Sequence, residues 1–98
     1  MKQREKTTER LVKRDEITDG GINYVYELSV SENKNQASFR LPLYSVCVYM
    51  TEPDGTESSS RLDDVFYDAG QALLFYDKMV KNLATPIDLS YILEDEMH

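Results

Sequence analysis

The sequence predicts an α+β fold, in which an antiparallel meander sheet of three to five strands is covered on one face by a C-terminal helix and followed by a short terminal helix. One segment, residues 68–83, repeats its apolar residues with the period of a helix. Ahead of it lie alternating or apolar segments of strand length, separated by glycine, proline and aspartate turn signals. Because a helix and a sheet must each bury an apolar face, we expect the two to pack together.

The helix is predicted over residues 68–83, where the apolar side chains share one broad face at about 100° per residue. That face consists of Ala72, Leu73, Phe75, Tyr76, Met79, Val80 and Leu83. Asp68 and Gln71 are suited to cap its start, and Thr85-Pro86 is expected to end it, because proline disfavours the helical conformation in the preceding residue. Leu74 projects among the polar residues, which leaves two interpretations, an ordinary exposed leucine or a contact with a partner.

A first hairpin is predicted from two strands on either side of Asp19-Gly20-Gly21, because glycine adopts positive φ without steric cost. Residues 8–18 mix β-branched and charged side chains, which indicates an exposed edge strand. Residues 22–30 are apolar at every second position, which indicates a strand with one buried face.

A second hairpin is predicted after Pro42, which divides the apolar stretch of residues 37–50 because proline cannot donate to the ladder. We expect a bulge or break there. Residues 43–50 are apolar or aromatic at nearly every position, as is typical of a strand buried on both faces or pressed against a second subunit. The outer row of this strand is therefore expected to need a cover. Pro53-Asp54-Gly55 predicts the turn into a polar fourth strand over residues 56–65.

A short helix is predicted over residues 87–97, with Asp88 as its cap. Its apolar residues Leu89, Ile92 and Leu93 share a face. Residues 94–96 are all acidic and lie near its carboxyl end, where the helix dipole disfavours negative charge, so we expect that end to fray.

Length and charge predict one α+β domain over residues 8–98, preceded by a basic flexible arm over residues 1–7. The net charge of the 98 residues is −7, but residues 1–14 hold six basic residues against two acidic ones, a local charge of +4 that leaves −11 for the remainder. Such an arm is most simply solvated, but it can also contact phosphates or an acidic surface such as residues 94–96. It lacks interleaved aromatic residues, so we do not expect nucleic acid as a partner.

Cellular location is predicted from the cysteine count and the hydropathy pattern. A single cysteine excludes an internal disulfide framework, which suits a reducing compartment. No apolar run is long enough to span a bilayer, and no basic stretch followed by an apolar core indicates a signal peptide. We therefore expect a cytoplasmic protein without a membrane partner.

The residue types needed for catalysis are sparse. Cys47 lies in a dense apolar strand, which favours a core position over a nucleophile, and the single histidine, His98, is the last residue. The carboxylates of Asp63, Asp64 and Asp68 are close in sequence and can serve in acid–base chemistry or hold a divalent cation, but capping and solvation account for them more simply. We therefore expect no enzyme activity, no metal and no cofactor.

The run from Tyr44 to Met97, YSVCVYMTEPDGTESSSRLDDVFYDAGQALLFYDKMVKNLATPIDLSYILEDEM, resembles a family of small bacterial proteins known only as a domain of unknown function. The resemblance covers about residues 43–97 and consists of a strand, a DG turn, a second strand, a helix, a proline and a terminal LxxxLED-like segment. It implies no catalytic or binding residues, and it does not account for the basic arm or Pro42.

These observations favour a non-catalytic protein-interaction module that binds a protein partner or itself, for example as a homodimer. The candidate interface residues are Leu74, Tyr44, Tyr49, Val48 and Tyr67. The alternative is a small-ligand or regulatory binding domain, in which tyrosines and the acidic corner line a cleft beside Tyr67, Tyr76 or Asp64. An enzyme is the third hypothesis, and it requires an ordered His98 beside a carboxylate.

Overall fold

The chain folds into four antiparallel strands and two helices within residues 7–33 and 42–96, the part that the computed structural model describes. The elements are β1 (Thr7–Asp19), β2 (Ile22–Asn33), β3 (Leu43–Thr51), β4 (Glu57–Phe66), α1 (Ala69–Lys81) and α2 (Asp88–Glu96). The strands are hydrogen-bonded in the order β1-β2-β3-β4, so each strand pairs with its neighbour in sequence. The predicted α+β meander is confirmed.

The two hairpin turns lie side by side at one end of the sheet. Gly20 and Gly21 have φ values of +62° and +81°, and Gly55 has +92° in the second turn, conformations that glycine tolerates best. A side chain at Gly21 would place its Cβ 3.2 Å from Cγ of Pro53, a tight contact between the two turns. The glycine at this position therefore allows the turns to pack closely.

The core lies between the sheet and the helices, and alternate residues of the strands supply it. On β2 the even positions are buried, and on β3 Val46 and Val48 continue the same layer. The buried apolar residues of β2 are Tyr24, Tyr26, Leu28 and Val30. Ala72, Phe75, Tyr76 and Met79 of α1 close this layer from above. The predicted alternation of β2 and the predicted apolar face of α1 are confirmed, except that Leu73 remains 37 % exposed.

Helix α1 begins as predicted and ends earlier than predicted. The Asp68 carboxylate accepts a hydrogen bond from the Gln71 amide at 2.9 Å, the contact of an N-cap. The helix stops at Lys81, because Leu83 takes a positive φ of 49° and lets the Ala84 amide donate to the carbonyl of Met79. The predicted extension of the helix to Leu83 is therefore wrong.

Thr85, and not the predicted Asp88, caps the start of the second helical segment. The Thr85 amide donates to the Asp88 carboxylate at 3.1 Å, and the Asp88 amide lies 3.3 Å from the Thr85 hydroxyl. This reciprocal pair is a capping box with Pro86 directly after the cap, where a missing amide hydrogen costs nothing. Asp88 is thus the acidic partner of the cap.

Other predictions fall outside the described residues. Of the predicted basic arm over residues 1–7, only Thr7 is described, and it belongs to β1 and pairs with Asn33 of β2. The part of the 37–50 stretch that precedes Pro42 lies outside the described residues, as does His98. Pro42 itself lies directly before the first residue of β3, where no ladder hydrogen bond is required of it.

Candidate interaction surface

Two buried tyrosines tie the helical segments to the sheet with polar contacts. The Tyr26 hydroxyl donates to the Ala84 carbonyl at 2.9 Å, just beyond α1. The Tyr76 hydroxyl lies 2.8 Å from Asp15 Oδ2 and 3.0 Å from the Tyr26 carbonyl. Both side chains are fully buried, and burial raises the pKa of Tyr26 to about 12 and raises that of Tyr76 as well. These hydroxyls are part of the packing and are not available to a ligand.

The opposite surface of the sheet, which we call the outer face, is polar. Arg61 on β4 pairs with Asp63 and reaches across the two central strands to Glu9 on β1, while the Ser29 hydroxyl donates to Glu9 at 2.8 Å. We call these four residues the polar strap. Hydrogen bonds from Ser29 and Arg61 lower the pKa of the Glu9 carboxyl.

A second ion-paired group extends the charged character of the outer face. Arg14 lies 3.7 Å from Glu27 and 3.6 Å from Glu16. Charged side chains therefore occupy the surface that was expected to be apolar and to need a cover. The odd-numbered row of β3 faces away from the helices, and its Ser45 and Cys47 are buried. The predicted burial on both faces therefore holds for residues 45–48, with charged side chains and not a second subunit on the outer side.

Cys47 sits in the outer face but is only 5 % exposed, between Glu27 and Arg61 in the strand register. Burial raises the pKa of its thiol. A neutral, buried thiol is a poor nucleophile. The position fits a small packing residue.

The five candidate interface residues separate into two groups. Val48 is fully buried in the core, so its assignment to an interface is wrong, whereas Tyr44 is half-buried at the border of the core and stays a candidate. The sequence does not show which alternate residues of β3 face the helices, because apolar residues occur in both sets. Tyr49, Tyr67 and Leu74 are 42 %, 61 % and 71 % exposed. Tyr49 lies on the outer face, whereas Leu74 lies on α1 on the other side of the sheet, so the structure does not bring them together.

The most exposed large apolar residues belong to the helical layer. We call Tyr67, Leu74, Ile87 and Tyr91 the helical surface. They are 61 %, 71 %, 76 % and 64 % exposed, and among the described residues no other large apolar side chain exceeds 53 %. The five predicted interface residues include neither Ile87 nor Tyr91. The helical period of α2, which turns Leu89 inward and leaves Tyr91 on the opposite side, was a signal for Tyr91, whereas Ile87 precedes that helix.

The three acidic residues at the corner between β4 and α1 have structural roles. Asp68 caps α1, and Asp63 pairs with Arg61. Asp64 has a φ of 51° in an irregular part of β4, and its amide donates to the Ser45 hydroxyl at 2.9 Å. Within the described ranges, no group of three or more potential ligands could hold a metal ion.

A groove of about 370 Å³ lies at the β3–β4 hairpin and not at the predicted ligand cleft. It is lined by Tyr49, Met50, Thr51, Glu57, Ser58 and Ser59. The predicted cleft beside Tyr67, Tyr76 or Asp64 thus differs in position from this groove, and Tyr76 is fully buried. Separately, neither helix of the described chain is long and apolar enough to cross a membrane.

These features define a small α+β domain, a four-stranded meander whose helices α1 and α2 pack on one face and whose other face carries ion pairs. The chain belongs to a family of unknown function, DUF6514, which matches residues 5–98. The match extends the resemblance seen over about residues 43–97 to nearly the whole chain. No curated protein and no solved structure matches the chain.

Proposed function

We propose that this protein is a non-catalytic protein-interaction module that binds its partner through the helical surface. One observation carries the proposal: among the described residues, the four large apolar side chains that are more than 60 % exposed lie on the helices or in the residues leading into them. Large exposed apolar and aromatic residues are the typical anchors of protein interfaces.

The charge distribution supports the choice of this surface. The outer face satisfies its own charges through Arg61 and Arg14, so burying it would require these ion pairs to lose water. The helical surface offers the exposed side chains of Leu74 and Ile87, with an ion pair, Lys13–Asp77, a turn away from Leu74. A non-catalytic role is supported by the raised pKa of the buried Cys47 thiol, which keeps this nucleophile protonated.

The test is affinity capture from the native host with the full chain as bait, with partners identified by mass spectrometry and then purified for calorimetry. We expect a partner that binds the wild type and the Tyr49→Lys variant but fails to bind Leu74→Lys and Ile87→Lys. Tyr49→Lys is the matched control, because it places the same charge on an exposed apolar residue of the outer face.

Folding must be checked alongside binding. Substitution of a side chain as exposed as Leu74 should change the free energy of unfolding by no more than about 0.5 kcal/mol. A partner that binds all four proteins equally would contradict the proposal, and a partner lost only with Tyr49→Lys would move the interface to the outer face.

A further inference from the structure

We infer that β4 is a self-pairing edge, through which two copies of this chain join their sheets antiparallel about a two-fold axis at Ser59. This inference goes beyond the proposed function, uses a different surface and can fail independently of it. It depends on the open edge of β4, on the direction of its backbone groups and on the charges at residues 57 and 61.

The sheet has two open edges, each with charged residues and one irregularity, and they differ in where the irregularity lies. The β1 edge carries a bulge between Leu11 and Lys13 and runs through charged residues, two devices that discourage further strand pairing. On β4 the irregularity lies beyond Leu62, which leaves a regular stretch from Glu57 to Leu62. Its sequence, ESSSRL, contains neither proline nor lysine.

The backbone of this stretch directs its hydrogen-bonding groups outward at every second residue. The Glu52 amide donates to the carbonyl of Thr56 directly opposite, so this is a hydrogen-bonded pair. Because such pairs alternate along an antiparallel ladder, Glu57, Ser59 and Arg61 point their amide and carbonyl groups away from β3. In the described part of the chain these groups meet no partner.

Charge fixes the register of the second copy. If the helices of both copies lie on the same side of the joined sheet, residues opposite each other must point to the same face. Their numbers must then be both odd or both even. Centring the pair on Ser59 places Glu57 opposite Arg61 of the second copy, and the symmetry repeats this contact. A centre at Arg61 would instead oppose two arginines, and a centre at Ser60 would oppose Glu57 to Asp63.

To make this contact, the Arg61 side chain turns from Glu9 toward the open edge, because in the single chain its guanidinium lies over the sheet on the Glu9 side. Its guanidinium has about five N–H donors, of which the strap uses those on Nε and Nη2 for Asp63 and Glu9.

Sedimentation velocity over a concentration series tests the inference with charge-swapped variants of the full chain. We expect a wild-type dimer, a dissociation constant raised about tenfold or more by Glu57→Arg, and recovery when Glu57→Arg is combined with Arg61→Glu. Glu16→Arg is the matched control, because it makes the same change at an outer-face position of β1 that is 50 % exposed, and it should leave the dimer intact.

Disulfide trapping gives a second measurement that does not depend on the ion pairs. In the inferred register the two Ser59 Cα atoms are about 5.5 Å apart, within reach of a disulfide, so Ser59→Cys should crosslink under mild oxidation. Ser58→Cys should not, because its own symmetry mate lies about 8 Å away. A monomer at all concentrations, equal weakening by Glu16→Arg, no recovery in the double variant, or equal crosslinking of both cysteines would overturn the inference.

Discussion

The helix-covered face and the outer face of the sheet use the same strands but are closed by different interactions. On the helix side, Phe75, Tyr76 and Met79 bury the even-numbered residues of β2 and β3. On the outer side, Arg61 and Glu9 lie across the central strands. An apolar strand such as β3 therefore does not need a packed layer of helices or strands on both faces, because long charged side chains can shield a small residue such as Cys47 from water.

The largest expected effect separates the two faces of α1. Phe75→Ala should lower the free energy of unfolding by about 3 to 5 kcal/mol, because it leaves a cavity against Phe66. Its neighbour Leu74 is 71 % exposed, and Leu74→Ala should change the same quantity by no more than about 0.5 kcal/mol. Urea denaturation followed by circular dichroism measures both, and equal losses would contradict the packing of α1.

The next effect concerns the buried hydroxyls beneath the helices. Tyr26→Phe should lower the free energy of unfolding by about 1 to 3 kcal/mol at neutral pH, because it leaves the buried Ala84 carbonyl without its hydrogen-bond donor. Burial raises the pKa of Tyr26 from 10.0 to about 12, so its stabilising contribution is complete below pH 10 and is lost as the pH rises through about 12.

The measurement is the free energy of unfolding between pH 7 and 12. The wild type should lose stability above about pH 10, and Tyr26→Phe should lose less over the same range. Tyr91→Phe, at an exposed position, is the matched control and should follow the wild type. A Tyr26→Phe variant with the wild-type slope would show that this hydroxyl is not buried.

The smallest effect is expected on the outer face. Arg61→Gln should change the free energy of unfolding by less than about 1 kcal/mol, because the side chains of Arg61 and Glu9 are 40 % and 43 % exposed and their attraction is screened. It should also raise the pKa of the Glu9 carboxyl, which NMR titration can follow. Because the pKa of Glu9 is lower in the folded protein, its carboxylate stabilises the fold at pH values above its pKa in the unfolded chain. This contribution is lost as the pH falls through its pKa in the folded protein. A loss as large as that of Phe75→Ala would mean that the strap, and not the core, holds the sheet together.

The sequence predicted the fold well because its signals were local. The period of α1, the Asp68 cap, the two glycine turns and the alternation of β2 each depend on residues close in the chain. The partition of residues 43–50 between the two faces was not predictable, because both rows of β3 look apolar in the sequence. It is set by pairing with β2, which places Glu27 opposite Cys47 and Tyr26 opposite Val48.

The candidate site was predicted in part for the same reason. Leu74 was recognised from the helical period of a single element. The polar strap joins Glu9 to Arg61, residues 52 positions apart in the chain, and no sequence spacing indicates that contact. The exposure of Ile87 depends on the turn made by Leu83 and the cap at Thr85, which direct α2 onto the sheet.

The sheet excludes water on the helix side and is in contact with water on the outer side, and one NMR experiment compares the two faces directly. Val25 and Val48 are the same residue type on neighbouring strands and opposite faces, and they pair with Tyr49 and Tyr26 respectively. A soluble paramagnetic probe broadens the NMR signals of groups that it can approach. At a protein concentration where the oligomeric state is known, the Val25 methyl signals should broaden and those of Val48 should not. Equal protection of both valines would show that the outer face is covered and would contradict the account.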